Sequence, residues 1–410
     1  MTTTAYVGRK TNPFWRFAAL GIATLLPTFG MSISNVALPT LSTAFAAELT
    51  IVQWVVSAYL LALTLFSVLA GRVSDSIGAK PSLLLGYAVF LSGALICWGS
   101  QTLWMLIAGR IVQGVGAAFL AVVAIALAKQ SSVNNSIGRA MGLLGAMTAV
   151  GTALGPSVGG IIIEFFGWRS LFVLLGASAV GGALFSFLVL RDENEDRVPV
   201  VRNASPTVDL VRYVAPAIAN SLVAVIMMTT FIAGPFYLTY ALGYSEGAVG
   251  LVMAVGPAIS ILSGFPSGVL VDRHGAQKVT QIGLGFVFCG ALCFAFLPNF
   301  GALAGYIVAL VVLTPGYQMF LSANNTAVMS NVADSRRGFV SGLLNMSRNA
   351  GLIIGATVIA TIFTIGAGTS VLADAAADSI GNAFQLVFFI NAGLIVLAFI
   401  ALRFGVARRR

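Results

Sequence analysis

The chain has 410 residues, of which 58% are hydrophobic and only 9% charged, with a formal net charge of +9. A water-soluble domain carries about 25% charged residues, so a soluble globular fold is excluded and the solvent around most of this chain is lipid. The positive balance does not point to nucleic acid, because the basic residues gather at the ends of apolar segments, where anionic lipid accounts for them.

Apolar runs of the roughly 20 residues needed to cross the hydrocarbon core recur twelve times. They fall at about 15–38, 52–71, 82–100, 102–128, 139–163, 168–190, 213–240, 247–271, 279–297, 302–328, 338–365 and 383–403. The composition therefore predicts an all-α membrane protein. One six-span half covers 1–190, a polar cytoplasmic linker covers 191–212, and a second six-span half covers 213–410. With the N-terminus inside, 19 of the 22 Lys and Arg residues lie on the cytoplasmic side, as the positive-inside bias requires. Only Arg169 falls outside, and Arg110 and Arg348 fall within spans.

In chain order, the first span ends in a polar patch containing Ser34 and Asn35. Such residues either join helices or wall a polar cavity, and the sequence leaves both readings open. Tyr59 lies deep in the second span and is a candidate for the same cavity. Gly71 to Lys80 is expected as a tight cytoplasmic turn, with Asp75 at its centre and Gly78 behind it. The fourth span carries Arg110 and Gln113. An intramembrane Arg costs roughly 2.5–3.5 kcal/mol on insertion scales, so it reads as functional unless backbone carbonyls hold it to fix a helix pair.

The fifth span, Gly138 to Gly160, places Gly151, Gly155 and Gly159 four residues apart, so bare backbone lies on one helix face. Pro156 removes a backbone donor there, and a kink is expected. The polar run from 191 to 212 mixes both charge signs with Pro199 and Pro206, as a solvated linker does. The seventh span offers Met228 and Tyr237 as apolar wall, the tenth offers Tyr317, Gln318 and Asn324, and the eleventh carries Arg348. Cys97, Cys289 and Cys293 all lie inside spans and read as small apolar residues, neither disulfides nor metal ligands.

Two stretches recur. Gly71, Asp75 and Gly78 return as Gly268, Asp272 and Gly275 at an offset of 197. Gly138, Gly142, Leu143, Leu144, Gly151 and Gly155 return as Gly338, Gly342, Leu343, Leu344, Gly351 and Gly355 at an offset of 200. Repeats with this spacing mean two copies of one structural unit. Arg348 stands where the first copy has Thr148, and that asymmetry suggests a function confined to the second half.

These motifs resemble the major facilitator superfamily. Gly71–Lys80 is similar to its loop motif, Gly109-Arg110 with Gln113-Gly114 to its fourth-span motif, and Gly151–Gly160 to the fifth-span motif of its drug:proton antiporters. The resemblance implies the major facilitator fold of two pseudo-symmetric six-helix bundles, working by alternating access on a small-molecule substrate held between them. It implies substrate contacts from Ser34, Asn35, Tyr59, Arg110, Gln113, Met228, Tyr237, Tyr317, Gln318, Asn324 and Arg348. Gating would involve Gly71, Asp75, Gly78, Gly151, Gly155, Pro156, Asp272 and Gly338. Asp75 would face the positive start of span eleven near Gly338 when the inside is closed, a contact of about 0.3–2 kcal/mol. The glycine face of span five would press on span eight.

The sequence also departs from the pattern. Gly30 stands where related exporters often carry an acid, and all 13 Asp and Glu residues fall in loops or near span ends. Of these Glu164 is the nearest proton carrier, with Arg110 the other residue assigned to coupling. Two membrane arginines and no membrane carboxylate favour neutral or anionic substrates over lipophilic cations. The expectation is a monomeric, proton-coupled exporter of the bacterial inner membrane with both termini cytoplasmic and no cofactor. The alternatives are an importer or facilitator for a small organic anion or metabolite, and a membrane sensor that has lost transport. No nucleophile–base or metal-ligand cluster suggests an enzyme.

Overall fold

The structure is a computed structural model that describes residues 13–130, 137–190, 211–330, 332 and 337–407. Most of the expected linker lies outside the described residues, and Arg212 already belongs to a helix. The first half comprises α1 (Pro13–Val36), the short α2 (Leu38–Ala44) and α3 (Leu49–Val52), α4 (Trp54–Ile77), α5 (Ala79–Trp98), α6 (Leu103–Gln130), α7 (Ile137–Phe166) and α8 (Arg169–Val189). The second comprises α9 (Val211–Phe236), extended by a π-helical turn at Tyr237–Ala241, then α10 (Glu246–His274), α11 (Ala276–Met329), α12 (Arg337–Ala367) and α13 (Ala377–Ala407).

Twelve stretches of these helices are long and apolar enough to span a bilayer. The long α11 holds two of them, Ala276–Pro298 and Phe300–Met329, broken where Ala302 takes φ 41°. Within the first half α1 packs on α7, α6 lies between α4 and α5, and α8 covers α5. In the second half α9 packs on α12 and α13, and α10 on α11. The halves meet along α7 with α10 and α4 with α12. Large apolar side chains such as Leu65, Trp104, Leu188 and Phe265 are exposed on the outside, the expected surface of a bundle whose solvent is lipid rather than water.

The helix ends correct one expectation. Gly71 and Asp75 do not sit in a turn. They lie within α4, which runs to Ile77, and Gly268 and Asp272 likewise lie within α10. The reversals are single residues, Gly78 at φ 97° and Gly275 at φ 83°. Backbone polar groups leaving lipid are best satisfied by continuing the helix, and only a glycine enters the left-handed region cheaply enough to end it abruptly. We call the end of the bundle with Gly78, Gly275 and the start of α1 proximal, and the opposite end distal.

Pro156 does not break α7, which continues as one helix to Phe166. Lacking an N–H, Pro156 leaves the Thr152 carbonyl without its helical donor. Ser32 of α1 supplies one, donating from Oγ to Thr152 O at 2.8 Å.

Candidate functional site

Arg110 is the most constrained side chain of the first half. It is fully buried. Its Nε donates to Val55 O at 2.9 Å and its Nη2 to Gly30 O at 3.1 Å. Nη1 donates to Gln113 Oε1, one helical turn along. The guanidinium lies over the Tyr59 ring, 4.1 Å from its centroid, and the Tyr59 hydroxyl donates to Pro27 O at 2.8 Å. One cation thus ties α6 to the backbones of α1 and α4, with each of its three nitrogens donating a hydrogen bond. Tyr59 is correspondingly buried and does not wall open space.

Ser34, Asn35, Gln113, Met228, Tyr237 and Asn324 are buried as well. Ser34 turns back on Gly30 O and Asn324 reaches Pro216 O. Tyr237 stacks on Phe384 with ring centroids 4.3 Å apart. Asn35 keeps both amide atoms, and Gln113 its Nε2, without a hydrogen-bond partner among the described residues. Of the expected substrate contacts, Tyr317, Gln318 and Arg348 are the ones with partly exposed side chains.

The glycine stripe of α7 faces α1, not α10. A Cβ on Gly151 would come within 2.5 Å of Thr28 Oγ1, on Gly155 within 2.5 Å of Ser32 Cβ, and on Gly159 within 2.7 Å of Ile33 Cγ1. The expected pressure of the fifth span on the eighth exists, but Gly160 and Pro156 carry it. A Cβ on Gly160 would lie 2.3 Å from Glu246 O, and one on Gly250 would lie 2.3 Å from Pro156 O. A four-residue spacing fixes a common face and leaves open which neighbour it meets. Gly160, next to Gly159, is rotated about 100° onto another face.

Hydrogen bonds cross between the halves at the distal end. Glu164 Oε2 accepts from Gly247 N at 2.8 Å and from Ser245 Oγ at 3.2 Å. Tyr240 donates to Pro39 O at 3.1 Å and shares a hydrogen bond with Thr43 Oγ1 at 2.9 Å. Near mid-depth Asn349 Nδ2 donates to Thr64 Oγ1 at 3.0 Å. At the proximal end Asp75 and Asp272 are exposed, and Gly338 lies in the first turn of α12. Sequence reasoning missed Thr64 and Gly250. Their signal is only a hydroxyl or a glycine inside an apolar helix, which many packing positions share. Among the described residues no three His, Cys, Asp or Glu side chains gather to hold a metal.

The profile described as Major Facilitator Superfamily matches residues 20–356. A riboflavin transporter, RibZ of Clostridioides difficile, is 27% identical, with 83% of this chain and 86% of the relative covered. The multidrug resistance protein Stp of Mycobacterium tuberculosis is 25% identical, over 84% of this chain and 74% of the relative. Among solved structures, a bacterial homolog to the human lysosomal transporter Spinster, in an inward-facing and unoccupied conformation, superposes with a TM-score of 0.82. It is 15% identical, and the match covers 97% of this chain and 98% of the other.

Proposed function

The chain belongs to the Major Facilitator Superfamily and is a secondary transporter in a membrane, not an enzyme; we propose that it exports small neutral or anionic organic compounds in exchange for protons. The observation that carries this reading is the uneven seam. The halves are bonded at the distal end through Glu164 and Tyr240, while Asp75 and Asp272 are exposed at the proximal end. Such a pair of bundles is one state of an alternating-access cycle. Rocking about the seam would bring Asp75 to the start of α12 and release the distal contacts.

The basic residues favour a cytoplasmic proximal end, so the open side would face the cytoplasm of a bacterial inner membrane. Likeness to multidrug resistance proteins supports export. We read Arg110 as positioning α1, α4 and α6 rather than holding the substrate, because it is fully buried and each of its nitrogens already donates to a neighbouring helix or to Gln113. Glu164 is the carboxylate that bonds across the seam among the described residues, and the candidate to exchange a proton as the distal contact forms and breaks.

A second reading, an importer or facilitator for an organic anion or metabolite, draws on the lack of any mid-depth carboxylate. Proteoliposomes loaded with a pH dye separate the two. Proton movement driven by neutral or anionic compounds under an imposed pH gradient is expected. Flux without proton movement would promote the facilitator.

A further inference from the structure

We propose that Arg348 sets the charge preference of the transporter by binding an oxyanion, a carboxylate or sulfonate, on the transported molecule. This rests on the transport reading and narrows its substrate class to organic acids.

Arg348 lies eleven residues into α12, about 16 Å along the helix, and inside the stretch Gly342–Asp374 that is long and apolar enough to cross the hydrocarbon core. Residues three, four and seven apart share a helix face. Leu344 and Leu352 on that face are buried, and Gly355 meets Val225 and Met228 of α9. The lipid-exposed residues of this segment, Met346 and Ile354, point well away from it. Arg348 therefore faces the interior of the bundle, yet it remains partly exposed. An inward-facing side chain that is still accessible borders open space between the helices. Asn345, one turn nearer the proximal end, is more exposed still.

The flanking residues anchor this position on both sides. Ser347 receives hydrogen bonds from Asn220 and Ser221 of its own half, while Asn349 donates to Thr64 of the other half. Arg348 thus sits where α12 joins the moving halves.

Its charge is unanswered. Arg348 Nε is buried without a hydrogen-bond partner among the described residues. The Asp and Glu residues of the described spans lie near their ends, at Asp75, Glu164, Glu246, Asp272, Asp374 and Asp378. Arg110 is the internal contrast, since each of its three nitrogens donates, to two carbonyls and an amide oxygen, and its guanidinium lies over an aromatic face. The fold itself does not require a cation at the Arg348 position. Its counterpart in the first half, Thr148, satisfies itself on Leu144 O in its own helix. A guanidinium held in low dielectric with free donors is a fork that matches a planar oxyanion, and Asn345 adds an amide beside it.

The test uses the purified full-length chain and three matched probes: 2-naphthoate, naphthalene-2-sulfonate and uncharged 2-naphthamide. Ligand-induced shifts in Tm give affinities for wild type, R348Q and R348K. We expect the two acids to bind more tightly than the amide, and R348Q to lose acid binding by about 10-fold or more while leaving the amide unchanged. R348K should fall between. The unliganded Tm of R348Q should equal or exceed that of wild type, because an unpartnered cation is removed, whereas a structural arginine would lower it. Equal binding of acids and amide, acid binding unchanged in R348Q, or no binding of either acid would overturn the site. Vesicle uptake of the same probes keeps the two claims apart. Amide carried without acid binding leaves the transporter and removes the site. Acid binding with no flux of any probe leaves the site and removes the transport reading.

Discussion

Removing the Arg110 guanidinium would leave the Gln113 amide oxygen without a donor in a fully buried site, and would strip Val55 O and Gly30 O of a charged donor that each accepts in addition to its helical N–H. Each hydrogen bond to a charged group contributes about 1.5–3 kcal/mol, so Arg110→Ala should destabilise the first half by on the order of 3 kcal/mol. Arg110→Lys should recover only part, because an ammonium has no planar fork to reach carbonyls of two different helices. Thermal unfolding of the purified variants checks this, and an alanine variant as stable as wild type would overturn the positioning role. Both candidate roles of Arg110 were visible in the sequence, since an arginine inside an apolar span declares itself. Its partners were not, because Gly30 and Val55 contribute only backbone oxygens, and any residue type supplies those. The same limit hid the Thr152 carbonyl that Pro156 leaves to Ser32.

At the scale of helices, α7 uses neighbouring glycines for two unlike purposes, and one substitution at each separates them. Gly155 lies against Ser32 and Ile33 of α1, inside one half. A valine there forces apart two helices that fold as a unit, so Gly155→Val should lower the yield of folded protein and its Tm, an overpacking cost of about 1–3 kcal/mol. Gly160 lies against Glu246 and Gly250 of α10, across the seam. Gly160→Val should leave each half folded and disfavour only the closed distal end. Spin labels at the exposed Phe166 and Leu251, in a chain with Cys97, Cys289 and Cys293 replaced, would report a longer distance in Gly160→Val. A Gly160 variant that fails to fold while Gly155→Val transports normally would reverse the assignment. The twelve spans and their twofold repeat were legible because lipid imposes length and apolarity on every crossing segment. The interhelix partners were not, because a glycine face is equally suited to any close neighbour. The turns at Gly78 and Gly275 were drawn too long for a related reason: the charges of Asp75 and Asp272 mark where lipid ends, and the helix continues past that level.

For the molecule as a whole, the proposed cycle would depend on small differences between contacts made at the two ends. Glu164 accepts the Gly247 N–H in the first turn of α10, where the helix dipole also favours a negative charge, a contribution of about 0.3–2 kcal/mol. Between two conformers of similar energy that bias corresponds to roughly a 2- to 30-fold change in population. Glu164→Ala should therefore shift the halves toward the state with the distal end open, and Glu164→Gln, which keeps an acceptor but loses the charge, should shift them less. At the other end Asp75 makes no such contact among the described residues, so Asp75→Asn should leave the closed distal end unchanged or more populated. It should slow turnover by weakening the state in which the proximal end closes. The Phe166–Leu251 label distance distribution reads both effects on one coordinate, and the expected result is a shift to longer distances in Glu164→Ala and no such shift in Asp75→Asn. If Glu164→Ala leaves the distribution unaltered, the closure is held by Gly160 against Gly250 and by Tyr240 on Pro39. Proton exchange at Glu164 would then have no conformational consequence through which to drive export.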